Sequence, residues 1–260
     1  NKSIKAILPV HLTGQIVDLA ALKSCINGSD IRIIADACHA IGGCKDDYIV
    51  GSSSIEDMST FSFHPVKTIA MGEGGAITLN DPELALKIRQ LRSHGMEMTP
   101  EIGAWAYRMD QLGFNYRATD FQCALGLSQL KKLERFKARR QELVALYNEQ
   151  LTDLSPFVMP SKQVEGQHPA WHLYAARFDF DAIGKTRDQI MKDLRALGVG
   201  TQVHYIPVHS QPYYADLYGV QDMQGADAYY KQTLSLPLYP SLQDTDIEHV
   251  VASLKEVIAK

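Results

Sequence analysis

Short apolar runs and amphipathic stretches alternate along the first half of the chain. Residues 4–10 (IKAILPV), 31–37 (IRIIADA), 58–63 (MSTFSF) and 74–80 (GGAITLN) each read as a short strand, the first of them, which ends at a proline, as a buried one. Between the first two, residues 17–26 (VDLAALKSCI) carry apolar positions at helical spacing and end at NGSD. Asp81-Pro82 places an N-cap acid and a first-turn proline at the head of a helix over 82–93. Strands alternating with helices predict an α/β fold with a mainly parallel sheet.

From Thr119 the helical pattern runs on for about thirty residues, with Leu125, Leu127, Leu130, Leu133 and Phe136 as an apolar stripe and basic residues opposite. Residues 129–153 read as a long linking helix between a large domain (1–128) and a small α+β domain (154–260). In the latter, 154–160 is loop-like, 172–180 alternates like a half-buried strand, and 186–200 is a helix ending in glycine. Residues 201–207 are expected to be a strand, and 248–260 a closing helix.

Composition narrows the function classes. With 260 residues, 45% of them hydrophobic, the chain can bury a large core, and a formal charge of −4 gives no basic surface for nucleic acid or anionic membrane. No apolar run reaches the ~20 residues of a membrane span. The four cysteines form no CxxC pair and the chain opens without an export signal, so reduced thiols and a cytoplasmic location are expected. Scattered histidines and the lack of HExxH argue against a metal site.

The candidate chemistry centres on Lys67, the one basic side chain of the stretch SFHPVKTIAMGEGG apart from a histidine. A lysine that reacts at neutral pH must lose its proton, by burial or by conversion to an imine. An imine with pyridoxal phosphate needs an anion for the ring nitrogen, donors for the phosphate and a group near the phenolic oxygen. Asp36 ends a buried strand, Ser62 precedes Lys67 by five residues, and His39 follows Asp36 by three. Each alone has an ordinary reading: a capping aspartate, a structural histidine, a glycine turn. GEGG lacks the GK[ST] ending of a phosphate loop and precedes a strand.

Together, DACHAIGG (36–43), SFHPVK (62–67), GEGGAI (72–77) and GFNYRATDFQCALG (113–126) resemble the sugar-nucleotide aminotransferases of the DegT/DnrJ/EryC1/StrS family, across nearly the whole chain. PVHLTGQIVDL, GLSQLKKLERFKARR, HPAWHLY and VHYIPVHSQPYY resemble the branch that makes UDP-4-amino-4,6-dideoxy-N-acetyl-β-L-altrosamine for pseudaminic acid. The resemblance implies a PLP-dependent transferase fold of type I and pyridoxal 5'-phosphate as cofactor. Lys67 would be the Schiff-base lysine and proton shuttle, and Asp36 the partner of the pyridine nitrogen. Cys38 would pack on the ring, His39 approach the phenolic oxygen and Ser62 bind the phosphate. Asn115 would reach the cofactor of a second subunit in a homodimer with shared active sites, with Tyr116 and Arg117 near the seam. His204, Tyr205, His209 and Tyr213 would line the sugar-nucleotide site. The implied substrates are a UDP-linked 4-keto-6-deoxy-N-acetylhexosamine and glutamate as amino donor.

Family members carry more than a hundred residues ahead of the strand matching IKAILPV, including a phosphate loop and a stacking aromatic. The chain is accordingly expected to be N-terminally truncated, to fold with difficulty and to hold the cofactor weakly by itself. The alternatives are an aminotransferase for another 3- or 4-keto sugar nucleotide, or a non-catalytic fragment or dimerisation module. A sugar dehydratase of the same family would have histidine in place of Lys67, and no cysteine stands in a convincing desulfurase loop.

Overall fold

Asp36 closes the second strand of a four-stranded sheet in a computed structural model that describes residues 4–259. The strands are β1 (Ala6–Ile7), β2 (Arg32–Asp36), β3 (Met58–Ser62) and β4 (Gly75–Thr78), in the order β1-β2-β3-β4. The β1–β2 and β2–β3 pairings are parallel, with Ile7 opposite Ile33 and Asp36 opposite Thr60, and β4 returns antiparallel with Gly75 opposite Ser62. The strand read in IRIIADA is realised, and its Ile33 and Ala35 are fully buried. Gly75 lets β4 approach, because a Cβ there would lie 2.6 Å from the Phe61 carbonyl oxygen.

This sheet belongs to the first of two units, residues 1–12 with 16–134; the second comprises residues 13–15 with 135–260. In the first, α1 (Leu19–Cys25) starts where Asp18 accepts the Ala21 N–H at 2.9 Å. α2 (Pro82–Arg92) starts where Asp81 accepts from Glu83 and Leu84. A hairpin of β5 (Met96–Met98) and β6 (Tyr107–Met109) follows.

The long helix expected from Thr119 is two helices, α3 (Asp120–Leu130), opened by a Thr119/Gln122 capping box, and α4 (Leu133–Gln150). The halves bury different things. Leu125, Leu127 and Leu130 of α3 remain exposed, whereas Leu143, Val144 and Tyr147 of α4 are fully buried. A continuous 3.6-residue periodicity runs across Lys131–Lys132 without revealing that change.

In the second unit, β7 (Val158–Met159), β8 (Tyr174–Phe178) and β9 (Thr233–Leu236) form an antiparallel sheet in the order β9-β8-β7. The loop reading of 154–160 therefore gives way to a short strand, because Val158 and Met159 find the end of β8. The core of this unit joins α4 with α5 (Arg187–Ala196), itself opened by a Thr186/Gln189 capping box, and with a closing helix over 244–259. Tyr147 and Tyr174 stack with centroids 4.5 Å apart. Arg140 of α4 is buried as well. It donates to the His172 and Leu238 carbonyls at 3.0 and 2.9 Å, and burial pulls its pKa down to about 10.

The strand expected at 201–207 is reduced to one bridge, Gln202 to Ser235. Pro207 has no N–H to offer a ladder, and Tyr205 and Ile206 are half exposed rather than alternating into a core. Among the described residues no helix is long and apolar enough to cross a membrane, and no group of three or more His, Cys, Asp or Glu could hold a metal ion.

Thr13 and Gly14 of the PVHLTG motif belong to the second unit. The Thr13 carbonyl accepts the His172 N–H at 2.8 Å, and Gly14 sits at φ +104° with its Cβ direction 2.2 Å from the Ala170 carbonyl oxygen. Only glycine fits both the backbone angle and the close approach. Gly14→Ala is expected to cost about 2–4 kcal/mol. Urea unfolding measures it, and an unchanged midpoint would show that this packing does not exist in solution.

Candidate active site

Parallel pairing brings the carboxyl ends of β1, β2 and β3 to one edge of the sheet, the edge where open α/β sheets bind ligands. Three loops leave from it: Val10–His11 after β1, residues 37–43 after β2, and residues 63–74 between β3 and β4. The antiparallel return of β4 closes the third at that same edge, since Ser62 faces Gly75. Phe63 N–H donates to Gly74 O at 2.8 Å and Met71 N–H to Phe63 O at 2.9 Å, so the loop carrying Lys67 is pinned at its base. This is why Lys67 stands between a strand and a glycine-rich return.

Asp36 is fixed through its backbone on both sides. Its N–H donates to Pro9 O at 2.8 Å, and its carbonyl accepts the His11 N–H at 3.0 Å. Its carboxylate Oδ1 accepts the Cys38 N–H at 3.0 Å, which sets its direction as the strand turns out. The side chain is half-buried. His39 is buried in the same turn, and Ala37 and Ala40 pack beneath it with Ile16 and Val50.

Lys67 lies in a turn closed by its N–H donating to His64 O at 2.9 Å, and it is half-buried between exposed Val66 and buried Thr68. No hydrogen bond or ion pair among the described residues occupies its amine. Ser62 ends β3, with Oγ accepting the His64 N–H at 3.4 Å. Cys38 records how these groups converge. Burial pushes its thiol up to about 11, the Asp36 carboxylate adds to the shift, and the Lys67 ammonium acts in the opposite sense. A thiol so placed stays protonated at neutral pH, which suits packing rather than nucleophilic chemistry.

The structure thus gathers Asp36, Cys38, His39, Ser62 and Lys67 in the first unit. Asn115 lies elsewhere in that unit: it is exposed, it bridges Ser93 through the backbone, and no hydrogen bond ties it to the Asp36–Lys67 group. The remaining four candidates belong to the second unit. His204 Nδ1 lies 2.9 Å from Ser235 Oγ, and His209 Nε2 lies 3.1 Å from Asp227 Oδ1. Tyr205 packs edge-on against His204, and Tyr213 is exposed beside Tyr214.

One neighbour of Asp36 was not among the residues singled out by sequence pattern. His11 is fully buried, its pKa lowered by burial against opposing pulls from Glu56 and Asp36. The signal was present in PVHLTG, where a histidine directly follows an apolar strand.

An anchored carboxylate, an amine without an internal partner and a strand-end hydroxyl are among the groups that pyridoxal phosphate uses. Asp36 would hold the ring nitrogen, Lys67 the aldehyde carbon and Ser62 the phosphate.

Known proteins share this fold. The model of the DegT/DnrJ/EryC1/StrS aminotransferase family matches residues 1–255. The chain is 37% identical over 262 residues to the spore coat polysaccharide biosynthesis protein SpsC of Bacillus subtilis, covering 98% of this chain and 67% of that protein. It is 38% identical over 255 residues to GDP-perosamine synthase of Caulobacter vibrioides, covering 98% and 66%. Among solved structures, Helicobacter pylori PseC, an aminotransferase involved in the biosynthesis of pseudoaminic acid, superimposes with a TM-score of 0.91 at 28% identity, covering 98% and 67%. The chain therefore spans about two thirds of the length of these relatives.

The Cys38 environment gives a direct chemical check. Alkylation of the unloaded protein should modify the exposed Cys25 and Cys123 first, with Cys38 gaining reactivity only as pH rises towards about 11. Peptide mass mapping reads the order, and Cys38 reacting at pH 8 as fast as Cys25 would contradict the geometry described.

Proposed function

Because this chain belongs to the DegT/DnrJ/EryC1/StrS aminotransferase family, we propose that it carries the amine-transfer site of a pyridoxal phosphate-dependent enzyme that aminates C4 of a UDP-linked 4-keto-6-deoxy-N-acetylhexosamine. The family's chemistry is that of sugar aminotransferases using this cofactor. The observation that supports the assignment here is that Asp36, ending β2, and the loop carrying Lys67, leaving β3, emerge at the same carboxyl edge of the sheet.

The cofactor, when bound, supplies an electron sink for the carbon that exchanges its proton. The chain's residues do the rest. Asp36 keeps a negative charge opposite the ring nitrogen, held in direction by the Cys38 N–H. Lys67 Nζ would take the proton from the carbon bearing the amine and return it to the carbon on the far side of that nitrogen. Ser62 Oγ donates to phosphate, and His39 stands towards the phenolic oxygen. Glutamate is the proposed amino donor, leaving as 2-oxoglutarate.

His204, Tyr205, His209 and Tyr213 are proposed to contact the sugar nucleotide. Ser235 and Asp227 already orient the two imidazoles, and both tyrosines present exposed rings. The UDP-sugar reading draws on the sequence resemblance of PVHLTGQIVDL, HPAWHLY and VHYIPVHSQPYY, and the PseC likeness supports its pseudaminic acid setting. The 38% identity to GDP-perosamine synthase favours a second reading, in which the keto sugar is linked to GDP.

A homodimer is proposed as well. Trp105, Leu112, Tyr116 and Phe121 of the first unit are exposed by 78%, 85%, 70% and 89%, a density of bare apolar side chains that monomers rarely leave in water. Phe114 and Tyr116 stack on either side of Asn115 in sequence, centroids 4.7 Å apart, and offer it to a second copy.

Two variants test the chemistry with UDP- and GDP-linked 4-keto sugars and glutamate. Lys67→Ala should lose about a thousandfold or more in amine transfer, within the range a positioned base supplies. Asp36→Asn should keep the fold and lose at least about a hundredfold. Near-normal turnover of either variant would remove that residue from the mechanism, and turnover confined to the GDP sugar would replace the UDP reading. Sedimentation of the chain at micromolar concentration should show a dimer that Phe121→Asp weakens; a monomer unaffected by the change would contradict the dimer.

A further inference from the structure

Behind Asp36 lies a buried polar group that the amine-transfer reading leaves without a role. His11 Nδ1 accepts the Val17 N–H at 3.0 Å. That bond puts a lone pair on Nδ1, so the neutral ring carries its proton on Nε2. Nε2 is itself buried and has no hydrogen-bond partner among the described residues. Glu56, also buried, shows the complementary pattern. Its Oε1 accepts from Tyr48 Oη at 3.1 Å, Ser53 N–H at 3.2 Å and Ser59 Oγ at 2.9 Å, while its Oε2 is buried without a partner.

A buried donor and a buried acceptor left unpaired are each destabilising. The Glu56 charge acts on His11, so the two groups lie within electrostatic reach, yet no direct hydrogen bond joins them. A single water, donating to Glu56 Oε2 and accepting from His11 Nε2–H, satisfies both.

The charged groups acting on His11 are Glu56 and Asp36, and both favour an imidazolium. An imidazolium there would compete with a cationic ring nitrogen for the Asp36 charge. The Val17 N–H opposes it sterically and electrically: a second proton on Nδ1 would point at another N–H. The geometry points to His11 being locked as a neutral Nε2–H donor by Val17 and linked through one buried water to Glu56, so that no second cation stands beside Asp36. The role towards Asp36 rests on the reading of Asp36 as the ring-nitrogen partner; the lock and the water link do not.

Nitrogen-15 NMR of the histidine rings in the unloaded chain tests the lock. His11 should show a neutral ring protonated at Nε2, unchanged from about pH 5.5 to 8. In Glu56→Gln, that Nε2 proton should exchange with solvent about tenfold faster, the equivalent of one modest hydrogen bond. A ring that titrates near its ordinary 6.5, a proton on Nδ1, or unchanged exchange in Glu56→Gln would overturn the proposal. If Glu56→Gln does not fold, the wild-type ring signals alone decide.

Pyridoxal phosphate labelled with nitrogen-15 in its ring then tests the role. Bound to the wild type and to His11→Gln, a neutral replacement, the ring nitrogen should be protonated. Bound to His11→Lys, which sets a cation beside Asp36, it should be protonated to a smaller extent. Equal protonation in all three would show that a cation at this position does not matter to Asp36 and removes that role. An unprotonated ring nitrogen in the wild type instead defeats the reading of Asp36, while the histidine ring signals still decide the lock.

Discussion

A single carboxylate, that of Asp36, is fixed in direction at the mouth of a buried strand. The parallel pairings of β2 with β1 and β3 put that mouth beside the exits of both neighbours. Backbone bonds to Pro9 and His11 hold the residue, and the Cys38 N–H aims the side chain. The other site elements follow from the same constraint. The loop after β3 emerges at the same edge and brings Lys67 with it. The turn after β2 must be tight enough for its own N–H to reach back to Oδ1. An acid without that N–H and that strand would be free to swing, and the cofactor ring proposed for this edge would have no fixed partner.

The parts of the fold visible in the sequence were those with short-range causes. Asp81-Pro82 and Thr119 through Gln122 mark helix starts because their side chains cap the very next turn. IRIIAD reads as a buried strand because both neighbours cover it. The parts that were hidden depend on distant partners. The strand at Thr233–Leu236 exists through its pairing with Tyr174–Phe178, some sixty residues earlier, and the break at Lys131–Lys132 reflects a change in what the helix buries. At the site, Asp36 and Lys67 were legible because strand ends and glycine-rich returns are local features. His11 was not, because its burial and its bond to Val17 appear only once the chain is folded.

The same division separates chemistry from specificity. The groups that would hold and move a proton sit in one unit, on elements whose positions the sheet dictates. The groups proposed to read the sugar nucleotide, His204, Tyr205, His209 and Tyr213, sit in the other unit, on loops and short helical turns, with each of the two imidazoles oriented by a single side-chain bond. A strand-built site tolerates little change, whereas loop residues can vary with the substrate. Relatives whose names attach them to spore coat polysaccharide, to GDP-perosamine and to pseudoaminic acid fit such a plan, in which one amine-transfer edge serves several sugars.

The position of the reactive amine is the point on which all of this turns. Incubating the chain with pyridoxal phosphate, reducing with borohydride and mapping peptides by mass locates it. The expected result is one modified peptide, carrying the reduced cofactor on Lys67 of SFHPVK. A reduced adduct on any other lysine, with Lys67 unmodified, would contradict the assignment of this edge of the sheet as the active site.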